Sequence, residues 1–399
     1  MGKTTTLLLL CCLAVAINSS LLPAIGEPRN AALNYWDISN DYPFLFPDNR
    51  QILFLGERGN EKKLYLLNIG NGSQPKEIPN TLGVIGGSPF FALSPDGKQI
   101  CFLRIENDER EGYLCLINLD GSNLKKLTNT KALYEGISWS PDQKWIVFKK
   151  NVYNPRLEEI LLVDTTNGAC SKIGQGSYPS WSRDSKMIAF EEDILKGISI
   201  VNQAVNIFNI EKRTQNTYLR KKPWGGIIIG VCWSADGKKV FIFTKRDIYS
   251  INAGNSLNRN LTLYTEDTDE PTNPLLSPDG KEFVYVRSND IWIMDINRYR
   301  SNSSKGTYLG RSRYGHIEDL SGYGGRLITN LTGARSEKKI FDNRPTWSPD
   351  GKQIVFTRDF DIWIMNADGS GQRQLTFDRF NAVEKYKKEA KRIAPKTAD

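Results

Sequence analysis

Residues 344–376 read RPTWSPDGKQIVFTRDFDIWIMNADGSGQRQLT, and the chemistry of this stretch decides the fold. Thr346 and Trp347 end a short strand. Ser348-Pro349-Asp350-Gly351-Lys352 then makes a tight turn. Proline presets the first central φ, aspartate bonds backbone amides, and glycine takes positive φ to form the bulge of a three-residue hairpin. Gln353–Arg358 is a β-rich run and Asp361–Asn366 is another. Asp368-Gly369 turns the chain again, and Gln372–Thr376 supplies a fourth strand. Four antiparallel strands in about 45 residues describe one propeller blade.

Working outward, the same turn recurs at Phe46–Arg50, Ser94–Lys98, Ser140–Lys144, Ser182–Lys186, Ser234–Lys238 and Ser277–Lys281. Spacings are 42 to 52 residues with one longer gap, and every copy keeps its aspartate. The residue before each turn is Leu45, Leu93, Trp139, Trp181, Trp233, Leu276 or Trp347, an apolar side chain placed to pack one blade on the next. Apolar strands follow each turn. The expected fold is therefore all-β, a seven-bladed β-propeller of four-stranded antiparallel blades over residues 41–380, with six blades and one unpaired repeat as the alternative. Residues 29–38, or the chain after Phe377, are the two candidates to supply a closing strand.

The longer gap holds residues 298–325, RYRSNSSKGTYLGRSRYGHIEDLSGYGG, an insertion in the sixth blade rich in Tyr, Arg, Ser and Gly. Long insertions in compact domains tend to be functional or disordered, and Tyr and Arg suit a binding surface. Residues 327–331 resume the pattern as that blade's fourth strand.

The ends differ in character. Residues 1–26 carry Lys3, an apolar run from Leu7 to Ile17 too short to span a bilayer, and small residues ending at Ala24-Ile25-Gly26. These are the parts of a signal peptide and point to an exported protein, periplasmic or secreted. Cys11 and Cys12 raise lipidation, though Leu9 and Leu10 before them lack the small residue that such processing prefers. Residues 27–40 form an N-terminal extension. Residues 381–399 form a basic tail around EKYKKEAKRIAPK, a solvated end or a weak contact with an anionic membrane surface. The formal charge of +8 is scattered among both signs and does not argue for nucleic acid.

Chemistry for catalysis is sparse. The single histidine, His316, lies in the insertion, and no nucleophile elbow, phosphate loop or CxxC pair occurs. No cofactor and no metal site is expected, and the turn aspartates read as turn chemistry rather than calcium ligands. Cys101 and Cys115 flank the hairpin at residues 107–111 nearly symmetrically, so the spacing is expected to set them across two strands, either as a disulfide or as two buried thiols. The turn alignment also identifies the start of each innermost strand, which lines the channel mouth. Asp41, Tyr42, Phe90, Glu135, Tyr178, Asn273, Asn343 and Arg344 fall there, in columns that vary between blades. Such a mixture can orient a peptide or a sugar.

The W-S-P-D-G-K turn and the D-I-W-I-M-N-A-D-G strand resemble the repeats of the TolB family, and the resemblance covers nearly all of the mature chain. It implies a propeller. TolB itself has six blades preceded by an α/β domain, whereas this sequence shows seven turns preceded by residues 27–40. The resemblance is less informative on function, because such repeats serve exported binding proteins and also the propellers of peptidases and lyases. The first reading is an exported, non-catalytic, monomeric propeller that binds a protein or cell-envelope component through its mouth and the 298–325 loop. The alternatives are a carbohydrate-active lyase or glycosidase, with Glu135 and Asp41 as acid and base, and a regulatory propeller for a separate catalytic chain.

Overall fold

The computed structural model describes residues 38–377, apart from 59–60, 71–73, 84–89, 106–110, 154–155, 197–198, 220–226, 245–247, 255–261, 264–271, 288, 297–327 and 333–340. The signal segment, the sixth-blade insertion with His316 and the basic tail all lie outside these residues. Within them the chain forms seven four-stranded antiparallel sheets, each built from four consecutive strands. The first blade holds β1 (Ile38–Leu45), β2 (Gln51–Arg58), β3 (Glu61–Asn68) and β4 (Lys76–Glu77). The second holds β5 (Phe91–Leu93), β6 (Gln99–Ile105), β7 (Gly112–Asn118) and β8 (Lys125–Lys126). The third holds β9 (Leu133–Trp139), β10 (Trp145–Tyr153), β11 (Arg156–Asp164) and β12 (Cys170–Gln175). The fourth holds β13 (Ser177–Trp181), β14 (Met187–Lys196), β15 (Ser199–Asn209) and β16 (Thr214–Leu219). The fifth holds β17 (Ile228–Trp233), β18 (Lys239–Thr244), β19 (Ile248–Asn252) and β20 (Thr262–Leu263). The sixth holds β21 (Thr272–Leu276), β22 (Glu282–Arg287), β23 (Asp290–Asp295) and β24 (Ile328–Asn330). The seventh holds β25 (Asp342–Trp347), β26 (Gln353–Arg358), β27 (Asp361–Asn366) and β28 (Arg373–Gln374). The first blade thus begins at Ile38, inside the expected extension.

The repeated turn does what its residues dictate. Serine hydroxyls of six copies donate to the turn aspartate, as Ser348 Oγ does to Asp350 Oδ1 at 2.7 Å, and that oxygen accepts the Lys352 amide at 3.1 Å. The fourth turn residue is left-handed in every blade: Gly97, Gly237, Gly280 and Gly351, but also Asn49, Gln143 and Ser185.

Each sheet buries both faces, so its central strands alternate between two neighbours. Ile354 and Phe356 join Val284 and Ile293 of the sixth blade, whereas Val355 joins Leu45, Ile52 and Phe54 of the first. Seven such clusters fill the seven interfaces, and the last closes the ring between the seventh and first blades. Closure uses no exchanged strand among the described residues. The seam is side-by-side packing, with Asn40 N donating to Phe360 O at 2.9 Å.

Tryptophans add a directional contact to three interfaces. The indole N–H of Trp139, Trp181 and Trp347 donates to the carbonyl of Ala92, Ser138 and Leu275 on the preceding blade, at 3.2, 3.1 and 3.2 Å. Trp233 occupies the same place, but its buried Nε1 has no partner. Replacing Trp139 by Phe is expected to cost about 1 kcal/mol more than the same change at Trp233, because the former gives up an indole hydrogen bond and the latter removes a buried N–H that has no partner. Urea midpoints of the two variants check this.

Cys101 and Cys115 are both buried and form no disulfide. The β6–β7 register sets Cys101 opposite Leu116 and Cys115 opposite Phe102. Neighbouring positions of a strand face opposite ways, so the thiols enter different interfaces. The symmetric spacing is one residue out of register.

Candidate functional site

First strands of adjacent blades contact one another, β9 with β13, β13 with β17, β21 with β25 and β25 with β1, which makes them the inner ring. Near its start the inner strand is bulged. Pairing shifts between Asp41 and Phe44, Ser177 and Ser180, Thr272 and Leu275, and Asn343 and Thr346. All four of these bulges are X-Pro steps, Tyr42-Pro43, Tyr178-Pro179, Asn273-Pro274 and Arg344-Pro345, in which the proline cannot donate to the ladder. Tyr42, Tyr178 and Arg344 have φ of 53°, 56° and 51°, and the third blade uses Gly136 at 61°. A bulky left-handed residue costs roughly 1–2 kcal/mol. Strain of this kind clusters at functional sites.

Two groups of side chains gather on this rim. The first spans the seam of the seventh and first blades. Asp41 Oδ1 accepts the Tyr42 amide at 2.9 Å and the Thr357 hydroxyl at 3.0 Å, and Asn343 Oδ1 accepts the Arg344 amide at 2.8 Å. The Arg344 guanidinium lies 4.3 Å from the centre of the Tyr42 ring. Burial raises the Asp41 carboxyl above its usual range, against the opposing pull of the Tyr42 amide, Arg344 and Thr357.

The second group joins the third and fourth blades. Lys149 Nζ sits 2.7 Å from Glu135 Oε2 and 3.0 Å from Glu158 Oε1. Burial works against its charge, but the two carboxylates outweigh it and raise its pKa. Ser177 donates a short hydrogen bond to Glu158 Oε2. Gln203 Nε2 donates to Glu191 Oε1 at 3.0 Å and Asp193 Oδ1 at 2.9 Å, while its own oxygen accepts the Ile228 amide at 2.7 Å. Tyr178 stands over this group with 48% of its surface exposed. Its phenol is pushed up by burial, with Lys149 opposing and Glu191, Glu158 and Asp193 adding to the shift.

Glu191 is 3% exposed. Burial first, then Asp193, pushes its carboxyl up to about 9, so it holds its proton at neutral pH. In the unfolded chain the group titrates near its ordinary 4.5. Between those values the native state binds the extra proton, so Glu191 makes stability fall as pH rises through that window and level off above it. Glu191→Gln is expected to flatten this slope and to stabilise the protein most at the alkaline end. Thermal denaturation across the window reads the result.

Of the residues singled out from sequence, Asp41, Asn343 and Arg344 come together at the seam, and Glu135 and Tyr178 at the second group. Tyr42 lies beneath Arg344 but is 7% exposed and packs in the core between the first and second blades. Phe90 is 6% exposed and packs between the second and third blades with Leu103 and Tyr134, so it belongs to the core. Asn273 lies in β21, where the backbone alone is described. Sequence reasoning missed Lys149, Glu158, Glu191, Asp193 and Gln203. A signal existed for two of them. Aligned second strands place Leu55, Leu103, Lys149, Glu191, Phe243, Val286 and Thr357 at one repeat position. A lysine and a glutamate at a predominantly apolar position are not explained by the fold.

A family model for the dipeptidyl peptidase IV N-terminal region matches residues 298–386. Dipeptidyl-peptidase 5 of Porphyromonas gingivalis is similar at 25% identity over 299 residues, covering 70% of this chain and 37% of that protein. The chain therefore spans well under half the length of that relative. Among solved structures, Pyrococcus horikoshii acylaminoacyl peptidase is similar with a TM-score of 0.60 at 12% identity, over 87% of this chain and 54% of that one. TolB from Acinetobacter baumannii is 19% identical over 78% of this chain and 75% of its own, with a TM-score of 0.46. The seven sheets and the repeated turn define the class. The chain is a seven-bladed β-propeller. At these identities the structural likenesses speak for the fold alone.

Proposed function

We propose that this protein is an exported, non-catalytic propeller that binds a protein or cell-envelope component at the rim of its channel. The observation that carries the reading is the polar group beneath Tyr178, where Lys149 and Glu191 stand in place of the apolar residues of four other blades. Its acids are engaged rather than poised. Glu135 and Glu158 hold Lys149, and Glu191 and Asp193 share the Gln203 amide. A half-exposed tyrosine above a fixed charge network is suited to recognition, and Arg344 stacked on Tyr42 adds a cationic anchor at the seam. Export rests on the signal-like residues 1–26.

The test is affinity capture from the envelope of the source organism, comparing wild type with Tyr178→Ala and Arg344→Ala. One dominant component, lost in both variants while the melting temperature holds, supports the reading. Retention of that component by both variants would place the binding surface elsewhere. Acid–base chemistry is the second reading, favoured by the proton held on Glu191. It predicts turnover of an oligosaccharide that Glu191→Gln abolishes.

A further inference from the structure

The hairpin of β14 and β15 is longer than its blade requires. Pairing of β14 with β13 ends at Glu191, and pairing of β15 with β16 ends at Val205. The two strands nevertheless stay paired with each other as far as Lys196 and Ser199, so residues 192–196 and 199–204 project on the mouth side. The exposed positions of this projection are apolar. Leu195 and Ile200 face each other across the strands at 42% and 38% exposure, Val201 fills the bulge beside them at 51%, and Ile227 is 41% exposed at the start of the next blade. Isolated exposed apolar residues are ordinary, whereas four on one projecting element with its neighbour mark an interaction surface.

The base of the hairpin is acidic. Glu192 accepts from Asn206 Nδ2 at 2.6 Å, Asp193 accepts from Gln203, and Glu158 lies within electrostatic reach of Glu191. Among the described side chains, Lys149 is the cation at the base of the hairpin, and it is already held by Glu135 and Glu158. Along β14 beyond Glu191, no strand pairs with the inner edge among the described residues. An open strand edge offers backbone donors and acceptors to an extended peptide.

We propose that the two paired strands of this projection, residues 192–196 and 199–204, dock an extended segment of a partner protein whose side chains alternate between apolar and basic. Apolar side chains cover Leu195, Ile200 and Val201, and lysine or arginine side chains reach the acids at the hairpin base. This rests on the binding reading above and names the chemistry of its partner.

The experiment measures anisotropy of a labelled short peptide alternating valine and lysine, against one alternating valine and glutamate. A chain of formal charge +8 repels a basic peptide overall, so binding reports the local acids. Wild type is expected to bind the lysine peptide more weakly as salt rises, and Leu195→Asn with Ile200→Asn to bind it at least about tenfold less. Both positions are exposed, and an unchanged melting temperature confirms that the fold holds. No binding to wild type, equal binding of the glutamate peptide, or undiminished binding by the double variant each overturns the proposal. No envelope component enters this assay, so its failure and a failure of the capture experiment are separate results.

Discussion

Replacing Gly176 by alanine is expected to lower stability by on the order of 4 kcal/mol, seen as a large fall in the urea midpoint. Gly176 connects β12 to β13 with φ of 137°, and a Cβ there would lie 1.7 Å from the Glu191 carbonyl oxygen. That atom is backbone in a strand paired on both sides and has nowhere to go. Relief requires β13 to move away from β14, which separates Ser177 and Tyr178 from the acids below them. Gly168 is the control. It has φ of 75° but open space around it, so alanine there brings conformational strain alone, about 1 kcal/mol. Equal losses at the two glycines would show that the close approach at Gly176 does not exist.

Replacing Lys149 by methionine is expected to cost about 3 kcal/mol, because Glu135 and Glu158 are left beside each other without their shared cation. The lysine and Glu135 side chains are 15% and 19% exposed, but Glu158 is 38% exposed, so solvent screens part of that repulsion and holds the loss to the low end for a buried pair. Changing Glu135 and Glu158 to glutamine in the same protein should recover much of the loss. Partner capture is expected to stay low in that triple variant even though it is folded. A triple variant that captures as well as wild type would mean that the charge network is only structural.

Much of the architecture can be read from the turns, because a turn is local chemistry. Ser348, Asp350 and Gly351 dictate their own geometry whatever surrounds them, so seven copies imply seven hairpins. The exceptions show the tolerance of the rule. Asn49, Gln143 and Ser185 take the left-handed position without being glycine. Register is less legible. Cys101 and Cys115 look close to equidistant from their hairpin by residue count, yet the pairing of Ile105 with Gly112 sets them one residue apart in the ladder.

Site residues were legible only on the strand chosen for alignment. First-strand columns found Asp41, Tyr42, Tyr178 and Arg344 and brought in Phe90. No column count reveals that an aromatic beside a three-residue strand turns into the core. Lys149 and Glu191 sit on second strands, one residue past the apolar runs that follow their turns. Glu158, Asp193 and Gln203 reach the rim only because β10, β11, β14 and β15 run long. Strand length is set by cross-strand pairing and is therefore a tertiary property.

The most direct measurement is site-specific photo-crosslinking. A photoreactive phenylalanine analogue is placed at Tyr178, and for comparison at Gln215 on the exposed outer strand β16, and the protein is irradiated in envelope extract. The binding account predicts one dominant adduct at Tyr178, absent from Gln215 and lost when Arg344→Ala is combined with Lys149→Met. An adduct at Gln215 with none at Tyr178 would contradict it, placing recognition on the outer edge of the blades and not at the channel mouth.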